Sequence, residues 1–291
     1  MSEIEREIAT QPACWEAAAE RASIVSDTLP PAGTRVAAVG CGTSLFVAQT
    51  FAWLREAAGH GETDALSPSE AQDERRYDVT LLISRSGTTT EVLRFLEQRP
   101  AARTAAIVAD PASPVARSAD RFVALEFADE RSIVQTRFAT SALALLRAHL
   151  GQDLSPAIAD ARRALASPLP VEPEVFTHFV FLGQGWTTGL ANEAALKLRE
   201  AAQAWTESYP AMEYRHGPIS VAGPRTLAWA IGPVDAGILE DVTATGATVV
   251  ADGLDPLAEL VLIQRAAIAL AHSKGLDPDK PPHLTRSVVI T

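Results

Sequence analysis

The sequence predicts an α/β chain built as two similar doubly wound parallel sheets in tandem. Two observations carry that expectation. Short apolar runs bounded by glycine turns alternate with amphipathic helical runs, the pattern of strands buried on both faces and joined by crossover helices. In addition, the strand-turn-helix start Val39-Gly-Cys-Gly-Thr-Ser44 recurs as Leu182-Gly-Gln-Gly-Trp-Thr187, 143 residues further on, so the chain reads as an internal duplication. The proline-rich stretch Ser167-Pro-Leu-Pro-Val-Glu-Pro173 is the expected linker. It divides the chain into an N-terminal helical segment, 1–34, a first domain, 35–166, and a second domain with a C-terminal tail, 174–291.

The elements follow in order. Glu3 to about Asp27 is one helix with Ile4, Ile8, Trp15, Ala18 and Ala22 turned inward, stopped by Leu29-Pro30-Pro31-Ala32-Gly33. Strand Arg35–Val39 feeds helix Leu45–Ala58, and strands Thr63–Leu66 and Asp78–Ile83 come next. Helix Glu91–Gln98 and strands Thr104–Val108 and Phe122–Leu125 complete the first sheet, with helices over Glu130–His149 and Leu154–Ala166. The second domain opens with strand Thr177–Leu182 and helix Gly189–Ala201. Strands Thr226–Ile231 and Ala247–Ala251 alternate there with helices Asp235–Thr245 and Pro256–His272, and the tail ends in Val288-Val-Ile290.

Composition narrows the function. With 25 Lys and Arg against 36 Asp and Glu the formal charge is −11, and no dense basic cluster is present, so nucleic acid is not an expected partner. The acidic start MSEIEREIAT is not a signal peptide, and no run approaches the roughly eighteen consecutive apolar residues of a membrane span. The expectation is a cytoplasmic protein with no membrane partner. Cys14 and Cys41 offer neither a disulfide framework nor a metal-ligand spacing and read as small buried thiols. An acidic protein that binds an anion needs a local site to overcome its own field.

Ser84-Arg85-Ser86-Gly87-Thr88-Thr89-Thr90 supplies a candidate for that site, at the point where a strand becomes a helix. Free backbone N–H groups and the positive end of the helix dipole converge at such a junction, and hydroxyls add neutral donors. A phosphate fits there. One Ser or Thr would suffice as a plain helix cap, and five hydroxyls exceed that need. The Gly40 to Gly42 turn is weak evidence for a nucleotide, because position 45 is Leu where G-x-G-x-x-G requires glycine.

A second concentration of chemistry lies between Leu190 and Pro218. Glu193, Lys197 and Glu200 recur at i, i+4 and i+7 on a run of strong helix formers and so share a face. A solvated helix face would show the same spacing. The run continues, however, into Glu207, Ser208, Tyr209, Glu213 and the sharp turn His216-Gly217-Pro218. Carboxylates, an amine and an imidazole in one short segment make an acid/base set.

The pattern E-x-A-L-K-L-x-E followed by E-x-Y-x-x-x-E-x-x-H-G-P resembles the sugar isomerase (SIS) family, in particular the isomerase half of glucosamine-6-phosphate synthase. Ser84-Arg-Ser-Gly-Thr-Thr89 is similar to the family's S-x-S-G-x-T phosphate loop, and Cys41-Gly-Thr-Ser44 to its C-G-T-S. The resemblance implies flavodoxin-like three-layer domains and carries Ser44, Ser84, Ser86 and Thr89 over as substrate or phosphate ligands, with the Arg85 backbone alongside. It places the proton-shuttling glutamate at Glu200 and the ring-opening histidine at His216, with Glu193 and Lys197 on the same catalytic helix. Glu130-Arg-Ser132-Ile-Val-Gln-Thr136 resembles the E-x-S-x-x-x-T stretch of family members that isomerise, deaminate or deglycate sugar phosphates, implying that Glu130, Ser132 and Thr136 lie near the site. The implied chemistry uses no metal and no organic cofactor. The implied assembly is a homodimer in which the histidine comes from the neighbouring subunit.

Two departures bound the expectation. The tail Pro282-His-Leu-Thr-Arg286-Ser287-Val288 resembles the family's N-L-A-K-S-V, with arginine at the lysine position. Arg286 stays protonated and is unsuited to imine formation, yet it holds anions well. The chain also begins Met-Ser, without the nucleophilic cysteine of a glutamine amidotransferase, so glutamine-dependent amination is not expected. The expected activity is aldose–ketose isomerisation of a hexose or aminohexose 6-phosphate through an enediol(amine), with or without release of the amine. The alternatives are a deglycase for fructosamine-type phosphates and a phosphosugar-binding sensor without catalysis.

Overall fold

The computed structural model describes residues 1–71, 75–98 and 103–290, and they form two compact units. One comprises Ala13–Arg131, Gln135–Leu154 and the chain from Thr285; the other comprises Met1–Pro12, Ser132–Val134 and Ser155–Leu284. This division departs from the one expected at the proline-rich stretch. The helix over 155–166 goes with the second sheet, and the tail goes with the first.

The N-terminal run is two helices, α1 (Glu3–Ala9) and α2 (Gln11–Ile24), where one was expected. Pro12 explains the break: it has no N–H to give to Ile8, so α1 closes at Thr10 and α2 starts afresh. Ser2 and Glu5 form a capping box at the start of α1.

The first unit contains β1 (Val36–Val39), α3 (Thr43–Ala57), β2 (Thr63–Leu66), β3 (Val79–Ser84), α4 (Thr90–Gln98), β4 (Thr104–Val108), α5 (Pro114–Ser118), β5 (Arg121–Ala124) and α6 (Arg137–His149). All five strands are parallel, in the order β2-β1-β3-β4-β5. Val36-Ala-Ala-Val39 and Val79-Thr-Leu-Leu-Ile-Ser84 are buried throughout, which is why they read as continuous apolar runs instead of alternating ones. Val92 and Phe95 of α4 and Val115 of α5 pack with Ala37, Val39, Leu82 and Val108 on one face. On the other, α3 and α6 pack against each other. The strand order reverses between β1 and β3, and ligands of such sheets bind beyond the carboxyl ends of the strands at that reversal. Both the Gly40–Ser44 turn and the Ser84–Thr89 loop leave the sheet there.

One expected helix is shorter than its pattern. Residues 130–136 are not helical, and α6 starts at Arg137. The Glu130 carboxylate accounts for this by accepting from the backbone N–H groups of Thr136 and Arg137, which holds the segment as a loop leading into the helix.

The second unit contains α1, α7 (Ser155–Ala166), β6 (His178–Gly183), α8 (Thr187–Ala202), β7 (Thr206–Pro210), β8 (Thr226–Ile231), α9 (Ala236–Ala244), β9 (Thr248–Val250) and α10 (Pro256–Ser273). Its parallel strands run in the order β7-β6-β8-β9, the first sheet's order less its last strand. Strand β7 was not foreseen as a strand. The buried helix α10 packs against α7, α8 and α1. The duplication is visible at atomic scale: a Cβ on Gly40 would lie 2.6 Å from the Ser44 carbonyl carbon, and one on Gly183 would lie 2.4 Å from the Thr187 carbonyl oxygen. In both halves glycine lets the first helical turn close onto the strand end.

Candidate active site

In the first unit, Ser84 ends β3 and Thr90 starts α4, leaving Arg85–Thr89 as the connecting loop. Gly87 has φ +59°, and a Cβ there would lie 2.2 Å from Ser113 Oγ, so the loop requires glycine at this point. Ser84 Oγ accepts from Gly87 N at 3.2 Å and Ser86 Oγ from Thr88 N at 3.2 Å, which turns the loop around its own hydroxyls. A cavity of about 40 Å³ results, walled by Ser44 of α3, by Ser84, Arg85, Ser86 and Thr89, and by Gln135 and Arg286. A water needs about 10–15 Å³ on the same measure, so the space takes a group a few heavy atoms in size.

The Arg85 side chain turns inward. Its guanidinium lies 3.7 Å from Glu130 Oε2, with both side chains at most 1% exposed, and its Nη2 donates to the Arg286 carbonyl at 2.8 Å. Glu130 Oε1 accepts from Thr136 N at 2.6 Å, Thr136 Oγ1 at 2.8 Å and Arg137 N at 2.8 Å. Glu130 and Thr136 thus brace the site from behind. Ser132 does not join them: its hydroxyl donates to the buried carboxylate of Glu7 on α1, and it belongs to the second unit. The thiol of Cys41, also in the cavity wall, is pushed up to about 11 by burial and by the nearby Glu91 carboxylate, so it stays protonated and is no nucleophile.

The C-terminal tail crosses this loop. Arg286 Nη2 lies 2.5 Å from Asp129 Oδ1, and Nη1 donates to the Glu130 carbonyl. Ser287 Oγ accepts from Ser86 Oγ at 3.1 Å and from Thr88 Oγ1 at 2.9 Å. Beyond it, Thr90 N donates to the Val288 carbonyl at 3.2 Å, and Ile290 N donates to Thr90 Oγ1 at 2.9 Å. The tail therefore takes up donors at the start of α4 that an anion would otherwise use.

In the second unit, the shared face expected on α8 is present and buried. Lys197 Nζ lies 3.4 Å from Glu193 Oε1 and 2.5 Å from Glu200 Oε2. The Glu193 and Lys197 side chains are 3% and 2% exposed, while Glu200 is 20% exposed. Next along the chain, β7 sets Glu207 Oε2 3.3 Å from His178 Nε2, and Ser208 Oγ donates to Asn192 Oδ1 of α8 at 2.8 Å. Tyr214 is buried 5.5 Å from the Tyr209 ring, and burial together with the Glu207 charge pushes its hydroxyl up to about 12. His216 is exposed, capping the 3₁₀ turn Ala211–Arg215, and makes no side-chain hydrogen bond among the described residues. The fold brings Glu193, Lys197 and Glu200 together and leaves His216 facing outward.

The strand-to-helix loop of the second unit that corresponds to the Ser84–Thr89 loop is Gly232-Pro-Val-Asp235, between β8 and α9. No hydroxyl lies in it. Asp235 accepts from Gly237 N at 2.9 Å, and the buried carboxylate of Glu259 accepts from Gly232 N at 2.8 Å. Burial, with Asp252 and Asp255 nearby, pushes Glu259 up to about 7. The Glu259 carboxyl thus already takes the strand-end N–H of Gly232 in this half.

No family model matches the chain. The isomerizing glutamine–fructose-6-phosphate aminotransferase of Thermotoga maritima is 25% identical over 318 aligned positions, taking in 88% of this chain and 52% of that protein. Its counterpart in Methanothermobacter thermautotrophicus is 26% identical over 306 positions, with the same shares of 88% and 52%. The chain thus spans about half the length of the curated relatives it matches. Among solved structures, glucosamine-6-phosphate deaminase from Thermotoga maritima matches with a TM-score of 0.85 at 26% identity, covering 99% of this chain and 100% of that one. Over most of its length the chain is similar to these sugar-phosphate enzymes, in agreement with the resemblance to the sugar isomerase (SIS) family that its motifs carry. The fold recurs at 20% identity in tagatose-6-phosphate ketose/aldose isomerase from Escherichia coli, with a TM-score of 0.79 and coverage of 100% and 96%.

Three residues of the cradle carry no site role in the reading of the sequence. Asp129 holds Arg286, Ser287 sits on the loop hydroxyls, and Gln135 lines the cavity. Asp129 adjoins Glu130, and Ser287 lies within the tail motif itself, which was the available signal. Gln135 read as one more polar position of a helix that in fact starts two residues later.

Proposed function

We propose that the chain catalyses aldose–ketose isomerisation of a hexose or aminohexose 6-phosphate. The observation that carries this reading is the array on α8, in which a buried ammonium lies between two carboxylates and only Glu200 is open enough to meet a substrate. Burying the Glu193 and Lys197 charges is costly, and a well-packed apolar pair is often no less stable. The hydroxyl-lined cradle at the β3–α4 junction supports a phosphate as the handle, held by Ser44, Ser84, Ser86 and Thr89 with the Arg286 guanidinium at the rim.

In this scheme Glu200 takes the proton from the carbon beside the sugar carbonyl and returns it to the neighbouring carbon. A cis-enediol, or an enediolamine for an amino sugar, lies between the two transfers. Lys197 holds the Glu200 carboxylate in place and Glu193 balances the Lys197 charge. His216 opens the cyclic sugar by moving a proton between the ring oxygen and the anomeric hydroxyl. Its outward position supports delivery to a second copy of the chain, so we propose a homodimer. We also propose a cytoplasmic setting; among the described residues no helix is long and apolar enough to cross a membrane.

A variant of the reaction, in which protonation of the enediolamine at C1 leaves a C2 imine that water hydrolyses to the ketose phosphate and ammonium, is favoured by the whole-chain likeness to glucosamine-6-phosphate deaminase. Incubation with glucosamine 6-phosphate, fructose 6-phosphate and tagatose 6-phosphate, followed by product and ammonium analysis, tests both. Ketose and aldose phosphates interconverting without ammonium mark a simple isomerase, and ammonium formed with fructose 6-phosphate marks the deaminating variant. No conversion and no ammonium across the panel contradicts the proposal.

A further inference from the structure

Gln135 belongs to the wall of the cradle cavity, and its amide oxygen Oε1 is buried without a hydrogen-bond partner among the described residues. The segment that carries it is fixed. Val134 and Thr136 on either side are buried, and Glu130 Oε1 holds Thr136 N at 2.6 Å and Arg137 N at 2.8 Å. A buried acceptor left without a donor costs about as much as a lost hydrogen bond, so a rigidly placed one in a binding cavity points to a donor on the ligand.

The rest of the wall says which part of the ligand that is. Ser44, Ser84, Ser86 and Thr89 bring hydroxyls and Arg286 a guanidinium, all able to donate. Above about pH 6 a phosphate monoester is a dianion that only accepts, which suits those groups and cannot satisfy an amide oxygen. Oε1 needs an O–H or N–H, and a sugar phosphate carries these on its carbon chain. We infer that Gln135 Oε1 accepts a hydrogen bond from a hydroxyl of the sugar's carbon chain and so selects polyhydroxylated phosphates over other phosphate esters. The inference rests on the sugar-phosphate reading of the cradle and adds to it the residue that reads the sugar.

The test is calorimetric binding of three probes: inorganic phosphate, sorbitol 6-phosphate, which has no carbonyl to turn over, and n-hexyl phosphate, which has the chain without its hydroxyls. The wild-type protein is expected to prefer sorbitol 6-phosphate over n-hexyl phosphate by on the order of 10- to 100-fold. Gln135→Met, similar in size, loses most of that preference while its affinity for inorganic phosphate stays within about twofold. Gln135→Asn, which draws the oxygen back by one methylene, shows the same trend and serves if the Met variant does not fold. A variant that keeps the preference, or that loses inorganic phosphate as strongly as sorbitol 6-phosphate, overturns the inference. Wild-type protein that binds all three probes alike sinks this inference alone, whereas failure to bind any of them sinks the sugar-phosphate reading beneath it.

Discussion

Lys197 Nζ lies 2.5 Å from Glu200 Oε2, three residues apart on α8, and the lysine is buried while the glutamate reaches toward solvent. An exposed pair at this spacing would contribute only about 0.3–0.5 kcal/mol. Here the ammonium is enclosed, so removing it takes a counter-charge from the buried Glu193 carboxylate 3.4 Å away. Lys197→Met is therefore expected to lower stability by about 3–5 kcal/mol. Urea denaturation of the two proteins measures this, and a loss under about 1 kcal/mol would show the array to be effectively solvated.

Glu130 anchors one wall of the cradle through Arg85 and through the N–H groups that start α6. Glu130→Gln leaves the Arg85 guanidinium buried without its counter-charge, and the expected cost is again about 3–5 kcal/mol. Phosphate affinity should fall in the same variant, because the loop carrying Gln135 and the tail carrying Arg286 lose a common support. Full retention of both stability and affinity would show the brace to be dispensable.

Ser287 occupies hydroxyls that a phosphate would use, so tail and phosphate compete. Ser287→Ala removes two hydrogen bonds worth roughly 0.5–1.5 kcal/mol each, and phosphate should then bind more tightly by about 3- to 10-fold. Titration calorimetry with inorganic phosphate reads this. Weaker binding would instead make Ser287 part of the ligand shell.

Glu259 gives a stability signature with a defined sign. Its carboxyl holds a proton up to about pH 7 in the folded chain, against an ordinary value of 4.5. Between these values the folded state binds the extra proton, so stability falls as pH rises through that window, by about 3 kcal/mol in all. Glu259→Gln keeps an acceptor for Gly232 N and removes the titration. Denaturation from pH 5 to pH 8 should show a flatter profile and, at pH 8, a more stable variant. An unchanged slope would place the Glu259 proton loss elsewhere.

The strands and the cradle were legible in the sequence because their signals are local: continuous apolar runs for strands buried on both faces, glycine where a helix closes onto a strand, clustered hydroxyls at a strand-to-helix junction. Glu193, Lys197 and Glu200 were legible for the same reason, since helical period alone sets them on one face. What the pattern could not show was long-range hydrogen bonding. The Glu130–Thr136 run has helical composition, yet the Glu130 carboxylate takes the N–H groups that a continuing helix would use. Strand β7 lacks an apolar run because Thr206-Glu-Ser-Tyr-Pro210 lies at the edge of its sheet. The return of the tail to Ser86 and Thr88, about two hundred residues away in sequence, leaves no periodic trace.

The most direct test of the central claim follows hydrogen exchange by NMR in D₂O, with fructose 6-phosphate and glucosamine 6-phosphate offered to the wild-type protein and to Glu200→Gln. The wild-type protein should place deuterium at C1 or C2 of the sugar, and Glu200→Gln should bind the same phosphates while losing exchange by about 10²- to 10⁴-fold. Exchange that persists at the wild-type rate in Glu200→Gln, or wild-type protein that binds these phosphates and exchanges no carbon-bound hydrogen, would contradict the assignment of Glu200 as the proton carrier.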